Sequence, residues 1–118
     1  MPNPVIHFEI RSNDPAKCQK FLGDLFDWPI DTNNPMGYGF VDTHAEGING
    51  GIGGTEGGPN RGTFYTQVDD VDAYLKKAEG LGGKTILPRT VIPQTITLGL
   101  FADPEGNVLG LVEAETPS

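Results

Sequence analysis

The chain of 118 residues carries 8 Lys+Arg against 16 Asp+Glu, a formal net charge of −8. That length fits one domain, or two small modules sharing a core. The acidic balance excludes nucleic acid and anionic membrane as main partners, since both need clustered Lys/Arg. It fits a neutral or cationic ligand, or plain solubility.

Gly (17) and Pro (10) together fall just under the roughly 25–30% that marks low complexity, so many turns are expected rather than disorder. The single cysteine, Cys18, excludes an internal disulfide framework and a Cys-rich zinc site. MPNPVIHFEI has no basic-then-apolar leader pattern, and no apolar run nears the ~18 residues of a membrane span. A cytoplasmic protein is the expectation.

Residues 4–11 alternate: Ile6, Phe8 and Ile10 point one way, and Val5, His7, Glu9 and Arg11 the other. The apolar set should meet a helix, and the polar set suits water or a cavity lining. Asp14-Pro15 reads as N-cap and first helical residue. Phe21, Leu22, Leu25 and Phe26 then recur at helical spacing, which predicts a helix over 15–26 closed by Trp28-Pro29. Three short strands in a meander follow, over 29–32, 37–43 and 47–54. Residues 55–62 (TEGGPNRG) have no apolar member and read as a linker.

The pattern then repeats. A strand over 63–68 leads to Asp69 and Asp70, which cap a helix whose apolar face is Val71, Tyr74, Leu75, Ala78 and Leu81. Gly82-Gly83 end it. Strands over 84–88, 95–102 and 107–113 complete the chain, the last two joined by the turn Asp103-Pro-Glu-Gly-Asn107. Overlaying Asp14 on Asp70 brings Leu22 onto Ala78, Leu25 onto Leu81, Ile30 onto Ile86 and His7 onto Thr63. Each half is strand–helix–strand–strand–strand, an internal repeat. A half of this size buries too little surface alone, so the halves must share a sheet or pair with a second chain.

Val5–Ile10 (VIHFEI), Asp24–Trp28 (DLFDW), Gln67–Tyr74 (QVDDVDAY), Gly80–Gly83 and Phe101–Val112 (FADPEGNVLGLV) resemble the glyoxalase/bleomycin-resistance/dioxygenase group, the vicinal oxygen chelate superfamily. The likeness covers nearly the whole chain in order. It implies an α+β fold in which two βαβββ modules, here 1–58 and 59–118, pair into a curved, cup-shaped mixed sheet as one domain over 1–118. It also implies, for the enzymes of the group, a divalent metal held by His/Glu/Gln from the first and last strand of each module. His7 matches one such position. Thr63 is a poor ligand at the second, Gly110 falls on the third, and Gly50 is the nearest counterpart on the fourth. The expectation is therefore no bound cofactor, with His7 the only retained ligand position. An unusual divalent-metal set drawn from Asp42, His44 and Glu46, or from His7 and Glu9, is the alternative.

The residues expected to line the cup and contact a ligand are His7, Glu9, Thr63, Tyr65, Gln67 and Phe101. Glu9 could orient His7 or raise its pKa. Trp28 reads as packing, Cys18 as a small half-buried residue. The glycines of residues 47–54 (GINGGIGG) lack the helix and Lys-Ser/Thr of a phosphate loop. They read instead as a strand allowing close backbone approach, to a ligand or across a dimer interface. Two functions stand side by side. One is a small-molecule binder with a degenerate metal site, in which the resemblance to bleomycin-resistance proteins implies a homodimer and an aromatic or basic ligand. The other is a lyase, isomerase or dioxygenase-type enzyme using His7, with or without a metal.

Overall fold

Alternation of apolar and polar residues makes Val5–Ser12 the first strand, β1. Its even-numbered side chains share a face with the following helix. A computed structural model describes residues 2–43, 47–93 and 95–114. Asp14 caps helix α1 (Pro15–Phe26) by accepting a hydrogen bond from the Lys17 amide. Pro15 occupies the first helical position, where its missing N–H costs nothing. The helix ends as its N-cap and apolar spacing predict, at Asp27 in the left-handed conformation.

Three further strands follow: β2 (Ile30–Asp31), β3 (Gly39–Val41) and β4 (Asn49–Gly54). They form the expected antiparallel meander, but β2 and β3 are shorter than the sequence suggests. β4 also pairs in parallel with β1, in the order β2-β3-β4-β1. Ile52 of β4 is fully buried and Val41 of β3 nearly so. Burying an aliphatic side chain of that size contributes roughly 1.5–3 kcal/mol. Helix α1 lies on this sheet through Gln19, whose amide donates to Ile52 O (2.9 Å) and Gly37 O (3.2 Å).

The second module repeats the order: β5 (Arg61–Val68), α2 (Val71–Gly80), β6 (Lys84–Ile92), β7 (Ile96–Ala102) and β8 (Val108–Glu113). Its strands run β5-β8-β7-β6, with β5 parallel to β8 and the rest antiparallel. Each module is thus βαβββ with identical connectivity. Asp70 caps α2 from the Ala73 amide, and the Glu113 carboxylate accepts from the Val71 amide at the same helix end. Val68, Val71, Leu75 and Leu111 form the core beneath α2. Strand β6 continues well past Pro88, beyond the predicted end. As the outermost strand of its module it tolerates a residue with no amide donor, and its register shifts between Leu87 and Thr90.

The compact unit around the first module is residues 6–63, and residues 2–5 belong with the second. The reason is local: Gln67 donates its amide to Pro4 O, and Asn3 donates to Gln67 O. The linker expected over 55–62 is partly strand, since β5 begins at Arg61. Asn60 and Thr55 are tied to Asn13. The turn at Asp103 forms as predicted, with its carboxylate accepting from the Glu105 and Asn107 amides and Gly106 at φ 90°. Among the described residues no helix is long and apolar enough to cross a membrane.

Candidate functional site

Alternation along β1 sends His7, Glu9 and Arg11 to one face, away from the α1 side. Across the parallel pairing, Glu9 lies beside Gly51 and Arg11 beside Gly53. Neither glycine carries a side chain, so the face of β4 is a bare floor. Tyr38 lies on that floor. A Cβ on Gly51 would collide with its hydroxyl and ring, and one on Gly53 would stand 2.7 Å from the ring. Tyr38 reaches this position because Asn34 clamps its backbone in both directions. The Tyr38 amide donates to Asn34 Oδ1 (3.0 Å), and Asn34 Nδ2 donates to Tyr38 O (2.7 Å).

Four side chains meet here. Arg11 donates Nε to Glu9 Oε1 (3.0 Å) and Nη2 to Glu9 Oε2 (3.1 Å), a bidentate pair. Its third donor, Nη1, meets Gly54 O at 3.2 Å, and its guanidinium stands 5.5 Å from the Tyr38 ring centroid. The Tyr38 hydroxyl donates to Glu9 Oε2 at 3.0 Å and lies 3.4 Å from His7 Nε2. Glu9 is only 5% exposed, so it depends on these partners to offset its desolvation. Burial pushes the His7 imidazole below its ordinary pKa, and the nearby Glu9 charge offsets this only in part. Raising that pKa was one of the two roles open to Glu9, and its charge does act upward, but desolvation outweighs it. The site thus sets an uncharged imidazole at neutral pH beside the Arg11–Glu9 ion pair and the Tyr38 hydroxyl.

The remaining predicted residues fall in both units. Thr63 is the last residue of the first unit; Tyr65, Gln67 and Phe101 belong to the second. Tyr65 is buried, its ring lying over Gly110, its partner on β8. Phe101 lies on the α2 side of its strand. It is partly buried against the Val68–Val71–Leu75–Leu111 core, on the same side of β7 as Gly99, whose missing Cβ makes room for Val71 and Leu75. The reason is parity along the strand: Phe101 pairs with Leu109 and Gly99 with Leu111, all on the α2 side.

The glycine run also needs correction. Its close approach is made by side chains of this chain, Tyr38 over Gly51 and Gly53, and Phe8 over Gly50. Phe8 then stacks toward Trp28 at 5.5 Å, which makes Trp28 a packing residue, as expected. Cys18 is half-buried. Tyr38 and Arg11 were not foreseen as site residues. The available signal was an aromatic between two glycines (Gly37-Tyr38-Gly39), next to a strand with no side chains to fill its face.

Register also revises one of the four metal positions. β1 and β5 match in length and, at every position but Phe8 against Phe64, in burial, so Glu9 corresponds to Tyr65. Their partners are Gly51 and Gly110. The counterpart of Gly110 is therefore Gly51, not Gly50. The four positions hold one imidazole, one threonine hydroxyl and two glycines, a donor set that does not fit a divalent metal. Among the described residues no three His, Cys, Asp or Glu side chains converge as a metal site. Asp42 is described, whereas His44 and Glu46, the rest of the alternative set, lie outside the described residues.

Comparison with known proteins agrees with this architecture. The model of the Glyoxalase/Bleomycin resistance protein/Dioxygenase superfamily matches residues 5–111. Proteins of Mycobacterium bovis and Mycobacterium tuberculosis, named "Putative glyoxylase CFP32", are 31% identical over 115 residues. That match covers 90% of this chain but 44% of theirs, so the chain spans less than half the length of these relatives. A superfamily member from Vibrio splendidus superposes with a TM-score of 0.65 at 17% identity, covering 95% of this chain and 98% of that one. Methylmalonyl-CoA epimerase from M. tuberculosis does so with a TM-score of 0.65 at 12% identity, covering 95% of this chain and 88% of that one. These two likenesses concern the fold. With its duplicated βαβββ modules and a family match over nearly its full length, the chain belongs to the glyoxalase/bleomycin resistance protein/dioxygenase superfamily.

Proposed function

We propose that the chain binds a small, neutral organic molecule at the face formed by His7, Glu9, Arg11 and Tyr38, and does so without a metal. The observation that carries this reading is the double engagement of Glu9. Both its oxygens accept from Arg11, and one also accepts from Tyr38. A carboxylate so held is a poor metal ligand and a poor counter-charge for a cation, because Arg11 neutralises it at contact. With Gly51 and Gly110 where the superfamily's enzymes carry donors, the metal site is degenerate. The acidic net charge of −8 fits a neutral or a cationic ligand, or plain solubility. The local charge balance of the quartet favours an uncharged one.

The half-buried His7 and Tyr38 supply polar contacts beside the apolar ring surface of Tyr38 and Phe40, whose centroids are 4.9 Å apart. This mixture suits an aromatic or oxygenated molecule. The test is calorimetry with a panel of neutral and charged aromatic compounds in the presence of a chelator. Saturable binding of a neutral compound, weakened by His7→Gln, is expected. Affinity only for cations, or only without chelator, would contradict the reading.

A second reading has its own support. An imidazole kept below its ordinary pKa is unprotonated at neutral pH and can accept a proton from a bound substrate. In that case the protein is an enzyme of lyase or isomerase type acting through His7. Turnover of a bound carbonyl compound that His7→Gln abolishes, with binding retained, would favour it over simple binding. A homodimer and a cytoplasmic location remain part of the proposal, tested by light scattering and fractionation.

A further inference from the structure

Helix α1 lies on the side of its strands opposite to His7, Glu9 and Arg11, yet one of its side chains reaches the segment that carries Tyr38. Gln19 donates from Nε2 to Gly37 O (3.2 Å) and to Ile52 O (2.9 Å). A primary amide nitrogen carries two hydrogens, so it can make both bonds at once. The two acceptors are placed with a purpose. Gly37 directly precedes Tyr38, and Ile52 stands between Gly51 and Gly53, the two glycines beneath the Tyr38 ring. Gln19 thus ties the residue before the phenol to the strand segment under it. The glycines that flank Tyr38 fit this arrangement. Gly37 turns the chain at φ 66°, a left-handed conformation that L side chains rarely adopt. Gly39 leaves room for the amide, since a Cβ there would stand 2.8 Å from Gln19 Nε2.

We infer that Gln19 is a positioning residue for the candidate site, holding Tyr38 over Gly51 and Gly53 from the helix side of the sheet. Asn34 fixes the Tyr38 backbone from within the loop. Gln19 fixes that loop to the floor. The inference deepens the proposed function and rests on it only for the consequence at the ligand. A loop released from Ile52 lets the phenol leave Glu9 Oε2, and the polar and aromatic contacts offered beside His7 change with it. Gln19 itself meets no ligand. It acts through Gly37 and Tyr38.

Proton NMR tests this directly. In the native protein the Tyr38 ring should give cross-relaxation peaks to the α protons of Gly51 and Gly53. Gln19→Met keeps the length of the side chain and removes both donors. Those cross-peaks should be weakened or lost in it while the amide spectrum stays dispersed. Lys17→Ala, an exposed position on the same helix, should leave them intact. Unchanged cross-peaks in folded Gln19→Met would overturn the inference. If the Met variant does not fold, the native protein decides through the Gln19 side-chain amide. Exchange of both its protons with deuterium slower than in free glutamine is expected, and exchange as fast overturns the inference. Calorimetry with phenol then reads the consequence. Phenol should bind Gln19→Met more weakly than the native protein, and Lys17→Ala as tightly. Equal phenol affinity in a Gln19→Met protein that has lost the cross-peaks would overturn the effect on the ligand. If phenol fails to bind the native protein, the functional reading fails, and the cross-peaks still decide the role of Gln19.

Discussion

The Tyr38 hydroxyl rests above Gly51 and donates to Glu9, the residue paired with Gly51 across β1 and β4. A strand without side chains and a buried carboxylate are thus parts of one arrangement: the glycine leaves the space that the phenol occupies. Sequence reading found the glycines and Glu9 separately and missed the tyrosine that connects them.

Gly51→Ala tests that relationship. The added methyl falls where the Tyr38 hydroxyl sits, so the phenol must leave Glu9 or the strands must shift. Overpacking of this kind costs about 1–3 kcal/mol. Gly54→Ala on the same strand meets only Pro15 at 3.9 Å and should change stability by no more than about 0.5 kcal/mol. Urea denaturation of the two variants should separate them, and equal midpoints would deny the close packing of Tyr38.

Arg11→Met should be more damaging than its surface location suggests. It strips a buried carboxylate of its charge partner, a change that costs about 3–5 kcal/mol for a buried pair. The Arg11 side chain is itself 30% exposed, which places the expected loss at the low end of that range. Glu9→Gln combined with Arg11→Met removes the uncompensated charge and should recover part of the loss. A double variant as unstable as the sum of the two single ones would argue against a coupled pair.

Acid should weaken the fold through His7. Its pKa is lowered by burial, so the folded chain binds fewer protons than the unfolded chain once the pH drops below the ordinary value of 6.5. The stability this contributes is complete above that pH and is lost as the pH falls through the lowered folded value. Glu113, held below the usual carboxylate range by its hydrogen bond from Arg89, acts in the same direction in more acidic solution. His7→Gln should flatten the change in urea midpoint just below pH 6.5 and leave the more acidic part intact. A midpoint profile unchanged by that substitution would contradict the buried, neutral imidazole.

Phe101→Ala should separate fold from site. The ring packs on the core beneath α2, and losing a phenylalanine there costs about 3–5 kcal/mol when burial is complete. Phe101 is only partly buried, so a smaller loss is expected, with no change in the His7 nitrogen shifts. A shift change at His7 would return Phe101 to the ligand face.

Much of the fold was legible because its signals are local. Asp14-Pro15 and Asp70 set two helix starts that the structure reproduces, and the turn at Asp103 needs only its own five residues. The repeat was visible because both modules space these signals alike. The end of β6 was not, because Pro88 reads as a terminator until the strand is known to lie at a sheet edge. Half of the site, His7 and Glu9, was legible as such, and the same alternation puts Arg11 on their face without marking it as a site residue. Tyr38 was hidden because a long loop and the meander β2-β3-β4 bring it there, and no local pattern encodes that return. The core packing of Phe101 was hidden for a related reason. Its face depends on pairing with Leu109, and the parity of a strand alone does not say which side the helix covers.

The central claim is that His7 acts here without a metal, in a network ending at Glu9 and Arg11. Elemental analysis of protein purified without chelator and then dialysed against zinc, nickel, manganese and iron salts tests it most directly. The account predicts no stoichiometric metal that depends on His7, with native protein and His7→Gln retaining the same amount. One equivalent of metal per chain, lost in His7→Gln, would contradict it.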